Sequence, residues 1–259
     1  MTEATLSMQA ARAAYGWRRQ QSWSDALSLL SAAAAAGEPD AQRQLNLVTQ
    51  ADIETLLRPP SVSRLSKLAR IGAARGFAPP GFAEWLIDRA ADQLGPAPVN
   101  DASGDAVRTA RACAFGPEQH DVILALMQER AARIIGAPVA FHEPPNVISY
   151  EVGQEFRAHA DFIEPSIPQF QSELKLLGQR TATIVTYLNS DFDGAETWFP
   201  DAGVKFRGDI GDAIVFANVL PNGTPDYNTK HAGLPVLRGR KWVLSQWIRA
   251  KPFPFPEES

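Results

Sequence analysis

Cysteine is nearly absent from this chain. Cys113 is the only one in 259 residues, so no disulfide can close within it. An excess of basic charge is also missing. Lys and Arg number 25 against 29 Asp and Glu, a net charge of −4. No basic stripe argues for nucleic acid and no Lys/Arg cluster for a membrane surface, so neither is expected as a partner. No apolar run approaches the ~20 residues needed to cross a bilayer. The first nine residues lack the basic segment and apolar core of a signal peptide, and the expected setting is the cytoplasm. What the chain does have is an ordinary globular composition, 45% apolar and 21% charged. That is enough for a sizeable core, in one large domain with an annex or in two small ones.

The first 57 residues read as helices. Trp23, Leu27 and Leu30 follow i, i+4, i+7, with Ser22 or Ser24 as N-cap and Gly37 past the end. Pro39 suits the first turn of a second helix over Asp40–Gln50. The pair resembles one Sel1-like or tetratricopeptide-like unit, without a second copy. Such units bury their faces only when about three stack, so residues 1–60 are expected to form a structural annex packed on the remainder, 61–259. Arg58-Pro59-Pro60 breaks the helices. A further short helix is expected over Ser61–Arg75, an amphipathic one from Pro79 or Pro80 to Leu94, a loop over Gly95–Asp105 and a strong helix over Asp121–Ile135.

From Pro138 the period changes. Strands are expected at Val147–Val152, Phe156–Asp161, Ala182–Asn189, Ala213–Ala217 and Lys241–Arg249, separated by Gly- and Asp-rich turns. Helices followed by many short strands predict an α+β chain in which helices buttress a β-sandwich or barrel-like core. The mixed linker Glu164–Arg180 is long enough to be functional or mobile.

The stretch around which this half is organised is Tyr150–Asp161, Y-E-V-G-Q-E-F-R-A-H-A-D. Side chains at i and i+2 of a strand share a face, so His159 and Asp161 can present a ring nitrogen and a carboxylate oxygen to one point. That is two-thirds of a facial two-His-one-carboxylate iron site. The spacing alone is weak, because so short a motif also arises by chance. Downstream, His231 precedes the strand Lys241–Arg249, in which Lys241 interrupts an apolar run. The two are candidates for a third ligand and a carboxylate anchor; the bland alternative is a surface His and a surface Lys. His120 at a helix start is expected to be exposed, and His142 in a Pro-rich loop is expected at the surface. Glu164, at i+3 from Asp161, should face away. Asp191, Asp193 and Asp201 lack the spacing of a calcium loop. Cys113 reads as a small buried hydrophobe, and Trp242 and Trp247 as core or pocket-wall aromatics.

Five blocks together resemble the prolyl 4-hydroxylase type of Fe(II)/2-oxoglutarate-dependent dioxygenase, over roughly Ile71 to Phe253. They are V-R-T-A at 107–110, Y-x-x-G-Q-x-F-x-x-H-x-D, G-Q-R-T-A-T at 178–183, Y-L-N with G-A-E-T-W-F-P at 187–200, and K-H-A-G-L-P-V-L-R-G-R-K-W at 230–242. The resemblance implies a double-stranded β-helix (jelly-roll) core with flanking helices. It implies His159, Asp161 and His231 as ligands of Fe(2+), and Lys241 as the partner of the distal carboxylate of 2-oxoglutarate. It also implies Tyr150 and Tyr187 as lining of the cosubstrate pocket, and L-ascorbate as a further cofactor. Arg108 resembles a position near the substrate side. Three positions depart from the pattern: Phe156 stands where Tyr is usual, Gly194-Ala195 where Gly-Gly is common, and Arg240 where an acidic residue is frequent.

The activity so implied couples oxidative decarboxylation of 2-oxoglutarate by O2, giving succinate and CO2, to hydroxylation of an unactivated C–H bond. The first expectation for that bond is a prolyl residue of a peptide or protein. Both His must be neutral to ligate, so iron binding should weaken in acid. A small-molecule hydroxylase of the same chemistry is the alternative. An inactive β-domain serving as a scaffold, and a metal-binding barrel isomerase, are alternatives from other classes. The complete His159, Asp161, His231 and Lys241 set weighs against the scaffold.

Overall fold

A computed structural model describes residues 4–17, 20–97, 99–100 and 106–254. Among the described residues seven α-helices run in chain order: α1 (Leu6–Tyr15), α2 (Trp23–Ala35), α3 (Ala41–Val48), α4 (Ile53–Leu57), α5 (Phe82–Ala91), α6 (Val122–Ile135) and α7 (Gln171–Leu177). Their ends follow local chemistry. Thr5, Ser22, Asp52 and Asp121 each accept a backbone N–H of the first turn, and Gly16 and Gly136 close α1 and α6 in the left-handed conformation. Among the described residues no helix is long and apolar enough to cross a membrane.

The strands are β1 (Ser63–Arg64), β2 (Ile71–Ala74), β3 (Gly95–Pro96), β4 (Val99–Asn100), β5 (Ala106–Arg108), β6 (Arg111–Ala114), β7 (Asn146–Tyr150) and β8 (Phe156–His159). They continue with β9 (Arg180–Tyr187), β10 (Asp193–Gly194), β11 (Thr197–Phe199), β12 (Val204–Phe206), β13 (Ala213–Ala217), β14 (His231–Gly233), β15 (Val236–Arg238) and β16 (Lys241–Arg249). One antiparallel sheet has the order β1-β2-β13-β9-β16-β7-β6-β3, and a second the order β12-β11-β14-β8-β5-β4. The short pair β10–β15 stands apart from both. The two sheets form the double-stranded β-helix.

Strand β16 shows why the core is double. Alternate residues on a strand face opposite sides. Trp242, Leu244 and Ile248 join the cluster that faces the helices, with Leu124 and Leu126 of α6, whereas Val243 joins the cluster between the sheets with Phe199 and Phe216. A central strand is covered on both faces, and eight of the nine residues of β16 are buried, the polar Lys241, Ser245, Gln246 and Arg249 among them. Helices α1 to α4 pack into the helix-side cluster through Ala10, Leu30, Leu47 and Leu57.

Three expectations fail here. Ser61–Arg75 is not a helix. Its apolar pair Leu65 and Leu68 is 39% and 68% exposed, while Ile71–Ala74 is fully buried as β2, paired between β1 and β13. A Cβ at Gly72 would lie 2.4 Å from Val62 Cγ1, so the hairpin needs glycine there. Pro39 lies before the N-cap Asp40 rather than inside α3. The expected loop at Gly95–Asp105 contains β3 and β4, and its last five residues lie outside the described residues.

Candidate active site

The site begins with a strand register. β14 pairs with β8 so that His231 lies opposite His159. Their rings face each other with centroids 4.3 Å apart. Asp161 lies just beyond the end of β8 rather than on the strand, yet its carboxylate turns back to both rings. Asp161 Oδ1 is 3.6 Å from His159 Nε2, and Oδ2 is 3.9 Å from His231 Nε2. One ligand atom from each of the three residues falls within 4.8 Å of the others.

The tautomers follow from the backbone. His159 Nδ1 lies 2.8 Å from the Arg157 carbonyl, and His231 Nδ1 3.1 Å from the Thr229 carbonyl. A carbonyl only accepts, so each Nδ1 carries the proton and each Nε2 presents a lone pair to the carboxylate. Burial, and then the neighbouring His231, pushes His159 down to about 3, so its ring is neutral. Burial opposes the charge on Asp161, but the facing rings, Arg180 and the Thr183 hydroxyl outweigh it and hold the carboxyl below its ordinary range. Two lone pairs and a carboxylate turned toward one point repel one another unless a cation lies between them. The donor set of two imidazole nitrogens and one carboxylate therefore fits a divalent iron, which His159, Asp161 and His231 would hold. Thr183 Oγ1 donates to Asp161 Oδ2 at 2.8 Å and fixes its rotamer.

Lys241 is buried on the floor of the same pocket. It opens β16 opposite Tyr150 of β7, and the inward set Lys241, Val243, Ser245 and Trp247 lines the pocket. Its Nζ donates to the Ala195 carbonyl at 2.7 Å, which supplies no charge to balance the ammonium. The faces of Tyr187 and Tyr150 lie 4.8 and 5.9 Å from Nζ. Burial lowers Lys241 to about 7. Tyr150 lines the pocket, and burial pushes its phenol up. Tyr187 sits beneath the lysine, with its hydroxyl 2.9 Å from Thr197 Oγ1 and donating to the Phe206 carbonyl at 3.0 Å.

The walls are aromatic and cationic. Phe156 stacks on His159 at 3.4 Å between centroids, and Arg108 covers the other ring neighbourhood of Phe156 at 5.3 Å. Arg180 lies over Trp247 at 4.6 Å and is held by both oxygens of Glu143, at 2.6 and 2.9 Å. The same carboxylate accepts from Arg249 at 2.5 Å. Glu143, Thr183 and the Arg180 pairing were not singled out from the sequence. Thr183 lies two residues before the pocket residue Val185 on β9, a period-2 signal; Glu143, in a Pro-rich loop, offered none.

The remaining histidines correct two expectations. His120 is buried, 7% exposed, stacked on Tyr15 and Trp17, with Nε2 against the Phe115 carbonyl. The end of α1 covers it, which no local pattern announces. His142 is fully buried, and burial lowers it to about 4; it lies outside the ligand cluster. Glu164 faces Ser166 and Tyr227, away from the site.

Residues 145–249 match the family model of the 2OG-Fe(II) oxygenase superfamily. Prolyl 4-hydroxylase 13 of Arabidopsis thaliana is 30% identical over 199 residues, covering 68% of this chain and 71% of the relative. The prolyl 4-hydroxylase subunit alpha-2 of Gallus gallus is 35% identical over 134 residues, 52% of this chain but only 24% of that subunit. Among solved structures, the viral collagen prolyl hydroxylase of Paramecium Bursaria Chlorella virus-1, crystallised with 2OG, superposes with a TM-score of 0.56. It is 26% identical, covering 70% of this chain and 96% of the viral one. With its β-helix core and its His-Asp-His cluster beside a buried lysine, the chain belongs to the 2OG-Fe(II) oxygenase superfamily, in its prolyl 4-hydroxylase type.

Proposed function

We propose that this enzyme hydroxylates a prolyl residue of a peptide or protein, with His159, Asp161 and His231 holding Fe(2+) and Lys241 binding 2-oxoglutarate. The observation that carries the reading is the convergence of all four side chains on one pocket. Bound iron with 2-oxoglutarate and O2 supplies the oxidising chemistry that leaves succinate and CO2. The chain supplies everything else. The backbone carbonyls of Arg157 and Thr229 hold both imidazoles in the Nδ1–H tautomer. Lys241 offers a desolvated ammonium to the distal carboxylate, and its pairing there relieves the burial of an unbalanced charge. Tyr150 borders that carboxylate's place, and Tyr187 supports the lysine from below. Ile148, Val185, Val243 and Trp247 keep the pocket apolar and exclude water from the reacting centre.

In the same proposal residues 1–60 are the annex and 61–259 the catalytic domain, L-ascorbate sustains turnover as an accessory cofactor, and the setting is cytoplasmic. The test combines Fe(2+), 2-oxoglutarate and pools of proline-containing peptides. Succinate release that rises with a peptide, together with a gain of one oxygen on proline by mass spectrometry, is the expected result. Oxygen gained on a free amino acid or metabolite instead would replace the peptide by a small molecule.

A further inference from the structure

The supports of Asp161 and His231 meet at one residue outside the ligand set. Asn218 follows β13 directly and is fully buried. Its Nδ2 donates to Thr183 Oγ1 at 2.9 Å, and Thr183 Oγ1 donates to Asp161 Oδ2 at 2.8 Å. The order of donors is forced. A threonine hydroxyl has one proton, and the carboxylate takes it. Only an N–H can then face the hydroxyl oxygen, so the amide must turn its nitrogen to Thr183. Asn218 Oδ1 is left inside the protein with no donor among the described residues. A buried carbonyl oxygen without a partner is unfavourable, and an apolar side chain of the same shape would avoid it. The amide at this position therefore does something other than stabilise its own surroundings.

The backbone of Asn218 makes the second connection. Its N–H donates to the Thr181 carbonyl at 2.8 Å, fastening it to β9, and its carbonyl accepts from the Asp226 N–H at 3.0 Å. The Asp226 carbonyl accepts from Thr229 Oγ1 at 2.7 Å, and the Thr229 carbonyl is the acceptor 3.1 Å from His231 Nδ1. One line thus runs from the Asn218 side chain to the carboxylate, and another from its backbone to the ring of His231.

We propose that Asn218 is a positioning residue for divalent-metal binding: its amide locks the Thr183 hydroxyl, and through it the Asp161 rotamer, while its backbone sets the turn that delivers His231. This rests on the reading of His159, Asp161 and His231 as ligands. Partners one step behind a metal ligand typically change affinity 10–100-fold. Here the same effect is expected two steps away, because the Asn218 N–H occupies the lone-pair side of the Thr183 hydroxyl and holds its proton toward Asp161.

The test uses Mn2+ as a redox-inert probe, titrated into the full metal-free chain and followed by loss of the free-ion paramagnetic resonance signal. Asn218→Leu and Thr183→Val should each weaken Mn2+ binding by about 10–100-fold. Thr183→Ser, which keeps the hydroxyl, should stay near wild type. The Asn218→Leu/Thr183→Val double variant should be no weaker than the worse single one, because both changes cut one path. Thermal unfolding of the metal-free variants reads stability separately, and Asn218→Leu should hold its midpoint. If Asn218→Leu does not fold, Asn218→Ala takes its place with the same expectation. Mn2+ affinity of the Asn218 variant within about threefold of wild type, or losses that add in the double variant, would overturn the proposal. His159→Ala is the control. If it loses Mn2+ while Asn218→Leu keeps it, this inference alone fails. If His159→Ala binds like wild type, the ligand assignment fails and takes this inference with it.

Discussion

An ammonium in a buried pocket needs a counter-charge; Lys241 hydrogen-bonds a backbone carbonyl, and the pull of Glu196 does not offset its burial. Its lowering to about 7 has a definite sign. The unfolded chain holds this proton up to its ordinary value near 10.5, so between about 7 and 10.5 the unfolded state binds more protons. The penalty of burying Lys241 is thus fully present below pH 7 and is lost as the pH rises toward 10.5. Binding of 2-oxoglutarate should reverse this by restoring the charge. At pH 8, calorimetry in two buffers of different ionisation enthalpy should show uptake of part of a proton, and affinity should fall as pH rises above 7. No proton uptake at pH 8 would contradict the anchor role. Lys241→Ala should remove a desolvated charge pair, on the order of 2–5 kcal/mol, and raise the Michaelis constant for 2-oxoglutarate about thirtyfold or more. Lys241→Arg should recover only part of this, because the forked guanidinium is larger. An unchanged constant in the alanine variant would refute the assignment. The inward direction of Lys241 was legible from strand alternation alone. The commitments of Tyr187 were not, since its hydroxyl partners come from other strands.

At the scale of elements, Glu143 joins two strands without belonging to either. Its carboxylate binds Arg180 at the start of β9 and Arg249 at the end of β16, and Arg249 also pairs with Glu173 of α7. Arg249 is 2% exposed, so removing Glu143 leaves a buried charge with Glu173, at the edge of the site, as its remaining carboxylate. Glu143→Ala should destabilise the fold by about 3–5 kcal/mol, read from the denaturant midpoint. A change under about 1 kcal/mol would mean that Glu173 and water replace the lost carboxylate. How much of this level the sequence reveals depends on length. β16 has nine residues and α6 fourteen, long enough for a period to show, and both were legible close to their observed bounds. β14 and β15 have three residues each, too few for any period to show, although β14 carries His231. The stretch 61–75 misleads because Leu65 and Leu68 have helical spacing but face solvent. The four buried residues of β2 form a strand through their pairing with β1 and β13, which the local sequence does not show.

At the scale of the whole molecule, α1 and the β-helix share α6. Tyr15 of α1 donates to Gln128 of α6 at 2.7 Å, and Gln128 donates to Gln246 of β16 at 2.9 Å. Arg130 of α6 binds the carbonyls of Phe77, Leu56 and Arg58, fastening the junction after α4. Limited proteolysis near Arg58–Pro60 should therefore be slow and should not separate two folded pieces; release of a stable 61–259 fragment would contradict this. That Tyr15 and Trp17 would cover His120 was not legible, because nothing local marks a contact between distant segments. The central claim is that His159, Asp161 and His231 together hold the iron that drives 2-oxoglutarate turnover. It is tested most directly by Fe(2+)-dependent succinate release from the wild-type chain and from His159→Ala, Asp161→Ala and His231→Ala, each first shown to be folded. The expected result is succinate from the wild type and only the metal-free background from all three variants. Near wild-type release from any one of them would contradict the claim at that position.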